Sequence, residues 1–285
     1  MLKLKKPNYP YDNTLALCCN GITGNKKLLQ KVNDGATDLK AGAVVYEVSA
    51  STGELYTIKP LQNQDDDDPE IIKKLKKSDL IKLYSNYFVG KDKPARIVYD
   101  ALMVAADDKC PFCGGIGRPR NLDHFLPKAH FPQFSIVPIN LVPSCRDCNM
   151  DGKGESVATT EAEQLIHPYL DDNRFFNEQW ISARYISGRN NEPGVVEYFV
   201  SPPAHWKDAH KKRVINHFND FDLALRYSKE AGPRSALLLA QFQALVNLPV
   251  EKNAAKEIIF QTIIDNSPFV NHWERVMCIA MMSEL

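Results

Sequence analysis

The fold is decided by residues 110–149, whose sequence is CPFCGGIGRPRNLDHFLPKAHFPQFSIVPINLVPSCRDCN. This stretch begins and ends near a Cys-x-x-Cys pair, Cys110/Cys113 and Cys145/Cys148, with 31 residues between the two pairs. Each pair can bend into a knuckle that presents two thiolates, so that four sulfurs surround one tetrahedral ion. The spacing therefore predicts a structural zinc site, closed to water, that holds the intervening segment.

Other interpretations of the cysteines remain open from the sequence. The four could be free buried thiols or redox pairs, although neither pair lies in the strand–helix setting of a thioredoxin motif. The remaining three cysteines lack ligand spacing, and we expect them to be ordinary buried thiols. They are Cys18, Cys19 and Cys278.

Polar residues with catalytic chemistry lie between and after the knuckles. Asp123 and His124 are adjacent, and Asn140 and Asn149 follow them. A hydrolytic nuclease needs a base for its water and a cation for the phosphate charge. Neighbouring side chains point to opposite faces of a strand, so Asp123 can face a metal while His124 faces water. Asn149 offers a neutral oxygen, a ligand type that suits Mg²⁺ or Mn²⁺.

With its paired knuckles, this order of residues resembles the HNH, or ββα-metal, endonuclease family over roughly residues 108–155. The resemblance implies that His124 is the general base and that Asp123 and Asn149 bind one catalytic Mg²⁺. It also implies that Asn140 orders the loop that orients His124. The expected activity is hydrolysis of nucleic-acid phosphodiester bonds, with DNA as the expected substrate.

The sequence outside the chemical motif is similar to a narrower group. Residues 122–128 are LDHFLPK, residues 134–145 are FSIVPINLVPSC, and residues 167–171 are HPYLD. These segments resemble the HNH subunits of bacterial anti-phage systems of the Septu type and those attached to certain retrons. An ATPase subunit accompanies the nuclease in that group. The resemblance therefore implies an ATPase partner and a role in antiviral defence.

The expected fold class is α+β: a zinc-stapled ββα-metal core embedded in a mostly helical protein with small β-hairpins. We expect a mainly helical region at 1–107, the nuclease core at 108–160, and a hairpin followed by helices at 161–285. Residues 44–48 and 54–58 are expected to form one hairpin, and residues 180–186 and 195–200 another, across the loop 188–194. Helical spacing also predicts four C-terminal helices, near residues 207–230, 233–246, 249–265 and 268–283.

Composition sets limits on the class of protein. The chain has 285 residues, 44% of them hydrophobic and 25% charged, and its formal net charge is zero. No apolar run is long enough for a transmembrane helix, and the first residues lack the apolar core of a signal peptide, so we expect a cytoplasmic protein. A protein that grips nucleic acid alone usually has a basic excess. Neutrality favours a protein partner that supplies targeting.

Several alternatives stay open. The chain could be a non-catalytic zinc-ribbon module that binds nucleic acid or protein, or a stand-alone restriction-type HNH nuclease. Asp123 and His124 could be a structural pair, and His167 is expected to be a structural histidine. The run 65–68, four aspartates, is expected to be a solvated loop that caps a helix starting at Pro69. Four residues could contact phosphates or be surface charge. They are Lys128, His130, Arg146 and Lys153.

Overall fold

The computed structural model describes residues 1–62, 66–188 and 194–285. The α-helices in these ranges are α1 (Tyr11–Gly21), α2 (Lys26–Thr52), α3 (Lys77–Lys82), α4 (Arg96–Val104), α5 (Arg174–Asn177), α6 (Asp208–Asp220), α7 (Leu223–Val246), α8 (Lys252–Lys256), α9 (Thr262–Asp265) and α10 (Trp273–Glu284). Shorter 3₁₀ or π segments are Leu55–Thr57, Leu83–Phe88, Pro132–Phe134, Pro138–Asn140, Asp147–Lys153, Glu161–Glu163 and Glu257–Gln261. The strands are β1 (Glu70–Ile72), β2 (Leu75–Lys76), β3 (Asn121–His124), β4 (Leu141–Ser144), β5 (Ile181–Ile186) and β6 (Val195–Val200). No described helix is both long enough and apolar enough to cross a bilayer.

The strands pair as three antiparallel two-stranded sheets, β1–β2, β3–β4 and β5–β6. The expected α+β class, with small hairpins among helices, is confirmed. The predicted hairpin at 180–200 is also confirmed, because Ile181 pairs with Val200 and Ile186 with Val195. Residues 189–193 of its predicted loop lie outside the described residues, as does the side chain of Lys153.

The predicted hairpin at 44–58 is wrong, because α2 continues through Thr52. The valines at 44, 45 and 48 favour a strand by intrinsic propensity, but they are exposed on the helix surface. The opposite face buries Leu39, Ala43, Tyr46 and Ala50 at helical spacing, and this packing outweighs local propensity. Gly53, at φ +75°, ends the helix in the left-handed conformation.

The expected helix start at Pro69 is also wrong. Strand β1 follows Pro69, and the next helix, α3, starts at Lys77. The acidic run still caps it, because the Asp68 carboxylate accepts hydrogen bonds from the Ser78 N–H at 2.7 Å and the Ser78 hydroxyl at 2.8 Å. Asp65, the first residue of that run, lies outside the described residues.

The C-terminal helices divide at a different place from the prediction. The expected break before Pro233 is wrong, since Pro233 lies inside α7. The chain instead turns at Asp222, whose φ is +47°. Buried residues at four-residue spacing, Leu223, Tyr227 and Ala231, continue across the proline to Ser235, so core packing maintains one long helix.

The β3–β4 hairpin lies between two buried clusters. Its register pairs Asn121 with Ser144, Asp123 with Val142, and His124 with Leu141. Leu141 belongs to a cluster built mainly from α1–α4, whereas Val142 belongs to a larger cluster with the knuckle cysteines and the C-terminal helices. That larger cluster includes residues from all three predicted regions. The boundaries at 107 and 160 stay predictions.

Candidate metal centre and active site

Four buried cysteines lie together where the two knuckles meet. The sulfurs of Cys110, Cys113, Cys145 and Cys148 all lie within 4.8 Å of one another. A tetrahedral zinc site with bonds of about 2.3 Å separates its sulfurs by about 3.8 Å. The sulfurs therefore fit a zinc ion after a small contraction. This is the one cluster of three or more potential His, Cys, Asp or Glu ligands among the described residues.

Glycines allow the first knuckle to bend around the sulfurs. Gly114 and Gly115 have φ values of +65° and +93°, which other residues rarely adopt. The Gly117 N–H donates to Cys113 Sγ at 3.3 Å. A Cβ at Gly117 would lie 2.5 Å from Cys145 Sγ, so the second knuckle can approach only because position 117 has no side chain.

The thiols are too close to ionise independently. Hydrogen bonding with Cys110 lowers the pKa values of Cys113 and Cys145 and raises that of Cys148. Hydrogen bonding with Cys113 raises the pKa of Cys110. Four thiolates in this space repel one another, and a divalent cation offsets that repulsion. Cysteine chemistry and geometry thus both fit a bound metal ion.

Arg226 supplies positive charge from the first turn of α7. Its guanidinium donates to Cys148 Sγ at 3.3 Å and to Cys145 Sγ at 3.7 Å. Burial opposes the charged form, but the hydrogen bond and charge of Cys148 outweigh it and raise the pKa of Arg226. A zinc ion with four thiolates carries a formal charge of about −2. With zinc bound, the guanidinium would offset part of that negative charge.

The other three cysteines lie apart from this cluster. Cys18 and Cys278 are buried, and burial raises the pKa of each thiol to about 12. Cys19 is half-buried, and desolvation raises its pKa as well. Neutral thiols of this kind are poor nucleophiles and poor metal ligands.

The predicted metal ligand Asp123 and the predicted base His124 occupy opposite faces of β3. Asp123 shares a face with Asn121, two residues earlier, whereas His124 shares the other face with Leu122. The 147–153 helix docks on the Asn121 side, where Asn149 Nδ2 donates to Asn121 Oδ1 at 2.9 Å. Asn149 is therefore hydrogen-bonded to Asn121, which neighbours Asp123 on the same face of β3. Both Asp123 and His124 are buried.

The imidazole of His124 is held by its Nε2 atom, which lies 2.9 Å from the Ser135 carbonyl oxygen. A carbonyl only accepts, so Nε2 carries the hydrogen, and in the neutral ring Nδ1 carries the lone pair. The ring of Tyr84 packs edge-on against the imidazole with centroids 4.4 Å apart. The Tyr84 hydroxyl donates to the Leu122 carbonyl at 3.1 Å, which fixes this ring against β3.

Asn140 fastens the loop between the strands and is fully buried. Its Oδ1 accepts from the Leu126 N–H at 2.7 Å, and its Nδ2 donates to the carbonyls of Leu126 and Phe134 at 3.2 and 3.1 Å. One side chain thus holds both ends of the loop 126–134. Because Ser135 follows directly, this arrangement also sets the position of the carbonyl that binds His124.

The remaining candidates fall in different surroundings. Lys128 Nζ lies 5.3 Å from the centre of the Tyr84 ring and so stays near His124. Arg146 is exposed. His130 is half-buried and lines a cavity together with Asp66 and Asp67.

His167 is fully buried in a polar network. Its Nδ1 accepts from the Tyr169 N–H at 3.3 Å, and its Nε2 lies 3.2 Å from the Tyr46 hydroxyl. Asp171, four residues later, accepts from the His167 N–H and pairs with the buried Arg213. These contacts give the 167–171 segment a structural role.

Sequence reasoning did not identify three neighbours of the candidate site. Asn121 could have been found from its spacing of two before Asp123, which places both on one strand face. Tyr84 and Arg226 reach the site from distant helices, and no local pattern marks them.

No protein-family model and no solved structure matches the chain. The curated comparison finds protein ea31 of Escherichia phage lambda, which is 38% identical over 295 aligned positions. The alignment covers 98% of this chain and 97% of the relative. At this identity and coverage, the chain belongs to the same protein family as phage lambda protein ea31.

Proposed function

We propose that the protein is a metal-dependent nuclease of the HNH type that hydrolyses phosphodiester bonds, with DNA as its substrate. The observation that carries the proposal is the order of elements around Asp123 and His124. The first strand of the β3–β4 hairpin ends in this dipeptide, and the 147–153 helix with Asn149 returns to the same strand. The clustered cysteines join the two ends of that unit.

His124 is the proposed general base. The Ser135 carbonyl holds its Nε2–H, which leaves Nδ1 as the proton acceptor in the neutral ring. A base must also keep its orientation, and the Tyr84 ring together with the Asn140-braced loop supplies that support. In this proposal, His124 removes a proton from the water that attacks phosphorus.

Asp123 and Asn149 are the proposed ligands of a catalytic Mg²⁺ or Mn²⁺. The carboxylate and the amide oxygen are the hard ligands that such ions prefer. Asn149 already has its amide nitrogen bound to Asn121, which orients the oxygen as the remaining acceptor. When bound, the cation supplies positive charge to the phosphate and to the leaving oxygen. Expected products are a 5′-phosphate and a 3′-hydroxyl.

The zinc in this proposal is structural. Four thiolates complete a tetrahedron and leave no position for water. Cys148 directly precedes Asn149, so the ion fixes where the 147–153 helix begins and hence where the proposed ligand lies. The proposed reaction therefore requires the zinc without using its chemistry.

A cleavage assay tests the nuclease assignment. The purified protein, loaded with zinc, is incubated with plasmid DNA in Mg²⁺ or in chelator. We expect nicking that needs Mg²⁺ and is abolished in His124→Ala, with the circular dichroism spectrum and zinc content unchanged. His205→Ala is the matched control, because His205 has a side chain that is 72% exposed. Equal cleavage by His124→Ala and the wild type would overturn the assignment of the base, whereas no cleavage by either protein would leave the zinc-ribbon alternative.

We further propose that the nuclease works with an ATPase subunit in an anti-phage complex. The similarity of residues 122–128, 134–145 and 167–171 to such subunits supports this step, and so does the zero net charge. Affinity purification from the native host, followed by an ATP-dependence assay of cleavage, is the test. A chain that cuts DNA alone at full rate and specificity would contradict the partner.

A further inference from the structure

The ammonium group of Lys128 lies over the ring of Tyr84, beside the proposed general base. Its Nζ atom is 5.3 Å from the centre of that ring, and the same ring packs against the His124 imidazole with centroids 4.4 Å apart. The ammonium therefore lies within about 10 Å of the imidazole, which is one Debye length at about 0.1 M salt. At this distance its positive charge acts on any phosphate group bound beside His124.

The backbone that carries Lys128 is held by hydrogen bonds. The N–H groups of His130 and Phe131 both donate to the Pro127 carbonyl, at 3.0 and 2.8 Å, so the chain makes a closed turn at Lys128. Asn140 fastens the two ends of the surrounding loop. The ammonium is therefore presented from a preformed turn, and binding of a phosphate would not have to order this backbone.

Lys128 differs from the other cations that lie over aromatic rings. Five such cations occur among the described residues. Four of them also have an oxygen acceptor in the protein: Lys3 at Asn173, Lys93 at Asp92, Arg96 at Asp100, and Arg213 at Asp171. For Lys128, the described part of the chain supplies neither an ion pair nor a hydrogen bond. Because an ammonium has three donors, this site is open to an anion from outside the chain.

The neighbouring cation is less suited to a phosphate. His130 lines a cavity together with the carboxylates of Asp66, Asp67 and Glu155. These negative charges disfavour a phosphate at His130. None of these three carboxylates forms an ion pair with Lys128. Of the two cations, Lys128 is therefore the better site for a phosphate.

We propose that Lys128 binds a backbone phosphate of the DNA, next to the phosphate that the proposed base attacks. The inference rests on the proposed nuclease function, because His124 is what brings the substrate backbone to this place. The Tyr84 ring contacts both groups, which leaves the attacked phosphate to the catalytic residues and a neighbouring phosphate to Lys128. Lysine is a compact point charge, so it fits phosphate oxygens without reading the base. Lys128 is therefore a substrate-binding residue whose contact is the same before and during the reaction.

The salt dependence of binding tests this contact. Zinc-loaded protein without added Mg²⁺ is titrated into fluorescent duplex DNA at several KCl concentrations, and anisotropy gives the affinity. Each neutralised phosphate contributes about −0.9 to the slope of log affinity against log salt concentration. We expect Lys128→Gln to make this slope shallower by about 0.9 and to weaken binding about five- to tenfold near 0.1 M salt. Lys128→Arg keeps the charge and should keep the wild-type slope.

Lys93→Gln is the matched control. It removes an ammonium that lies 5.9 Å from the centre of the Tyr87 ring and that already pairs with Asp92, so the slope and the affinity should not change. In Lys128→Gln, duplexes of different sequence should lose affinity by the same factor, as a backbone contact requires. A loss confined to one sequence would overturn the assignment in favour of a base contact, and a wild-type slope would overturn it outright. Thermal melting verifies that each variant is folded.

Inorganic phosphate separates two sources of the anion. When phosphate replaces chloride at constant ionic strength, DNA should be displaced only weakly, and to the same extent from the wild type and from Lys128→Gln. Strong competition by phosphate that Lys128→Gln abolishes would overturn the DNA assignment in favour of a site for a free anion.

Cleavage separates this inference from the proposed function. In plasmid nicking, Lys128→Gln should raise KM by the factor that is lost in affinity and keep kcat within about twofold. A loss of kcat with KM unchanged would overturn the assignment, because the contact would then be made only in the transition state. A protein that cuts nothing but shows the Lys128-dependent slope would remove the nuclease proposal and keep the phosphate contact.

Discussion

Asn149 Nδ2 donates to Asn121 Oδ1 over 2.9 Å, and this bond joins the 147–153 helix to β3, the first strand of the β3–β4 hairpin. Asn121 lies on the same strand face as Asp123. The bond therefore orients a proposed metal ligand through a residue outside the proposed ligand set. Such supporting partners commonly change metal affinity or activity by about 10–100-fold when removed.

We predict that Asn121→Ala lowers the rate of Mg²⁺-dependent cleavage at least tenfold, with much of the loss recovered at high Mg²⁺. The reason is that the Asn149 amide loses its fixed orientation while both proposed ligands remain. The measurement is the initial rate of plasmid nicking as a function of Mg²⁺ concentration. Asn121 is exposed, so the fold should survive, and Asn219→Ala at another exposed asparagine is the control. An Mg²⁺ dependence identical to that of the wild type would contradict the supporting role.

Arg226 should set how firmly the zinc is held. Replacing it by Gln removes the positive charge that lies 3.3 Å from Cys148 Sγ, and zinc loss to a chromogenic chelator should become about tenfold faster. Arg226→Lys keeps the positive charge but loses the bidentate guanidinium. Its rate of zinc loss should therefore lie between those of the wild type and Arg226→Gln. Arg184→Gln is the control, because Arg184 forms an exposed ion pair on the β5–β6 hairpin. Equal release rates for all four proteins would mean that Arg226 serves only the protein core.

The cysteines should divide into two classes by their effect on folding. Cys148→Ser removes one thiolate from the cluster, and we expect an insoluble or unfolded protein, because structural zinc contributes its binding energy to the folded state. Cys18→Ala removes a buried thiol outside the cluster and should cost roughly 1–2 kcal/mol. Thermal melting with and without chelator measures both effects. A soluble, zinc-free Cys148→Ser protein that melts like the wild type would contradict the zinc assignment.

The parts of the site that the sequence predicts are the parts carried by local chemistry. Two Cys-x-x-Cys pairs predicted the clustered sulfurs, because the residue types and short spacings determine a knuckle. Side chains alternate between the two faces of a strand, and this rule alone predicted that Asp123 and His124 lie on opposite faces. Arg226 could not be predicted, since it lies 78 residues from Cys148 along the chain and reaches it through the packing of α7.

Two of the three wrong fold predictions share one physical cause. Val44, Val45 and Val48 favour a strand, and Pro233 favours a helix boundary, when each is judged by its neighbours alone. In the structure, a buried face on α2 and another on α7 keep both segments helical. Tertiary burial therefore decided these elements, and burial against distant residues has no reliable local signature.

His167 should make the folded protein sensitive to acid. Burial lowers the pKa of its imidazole from 6.5 to about 4. Below about pH 6.5 the unfolded chain gains a proton at His167 that the folded chain cannot take up until about pH 4, so the free energy of unfolding falls as the pH drops through this window. At about 1.4 kcal/mol per pKa unit, the loss attributable to this residue reaches roughly 3 kcal/mol.

His167→Gln removes the titrating group and should flatten this part of the pH dependence, although its stability near neutral pH should be lower. Urea unfolding at several pH values between 7 and 4 measures the difference between the two proteins. Acid release of zinc affects both equally, so the difference isolates His167. The exposed His205→Gln provides the control and should follow the wild-type curve. If the curves for His167→Gln and the wild type stay parallel from pH 7 to pH 4, the buried imidazole does not titrate as its surroundings require.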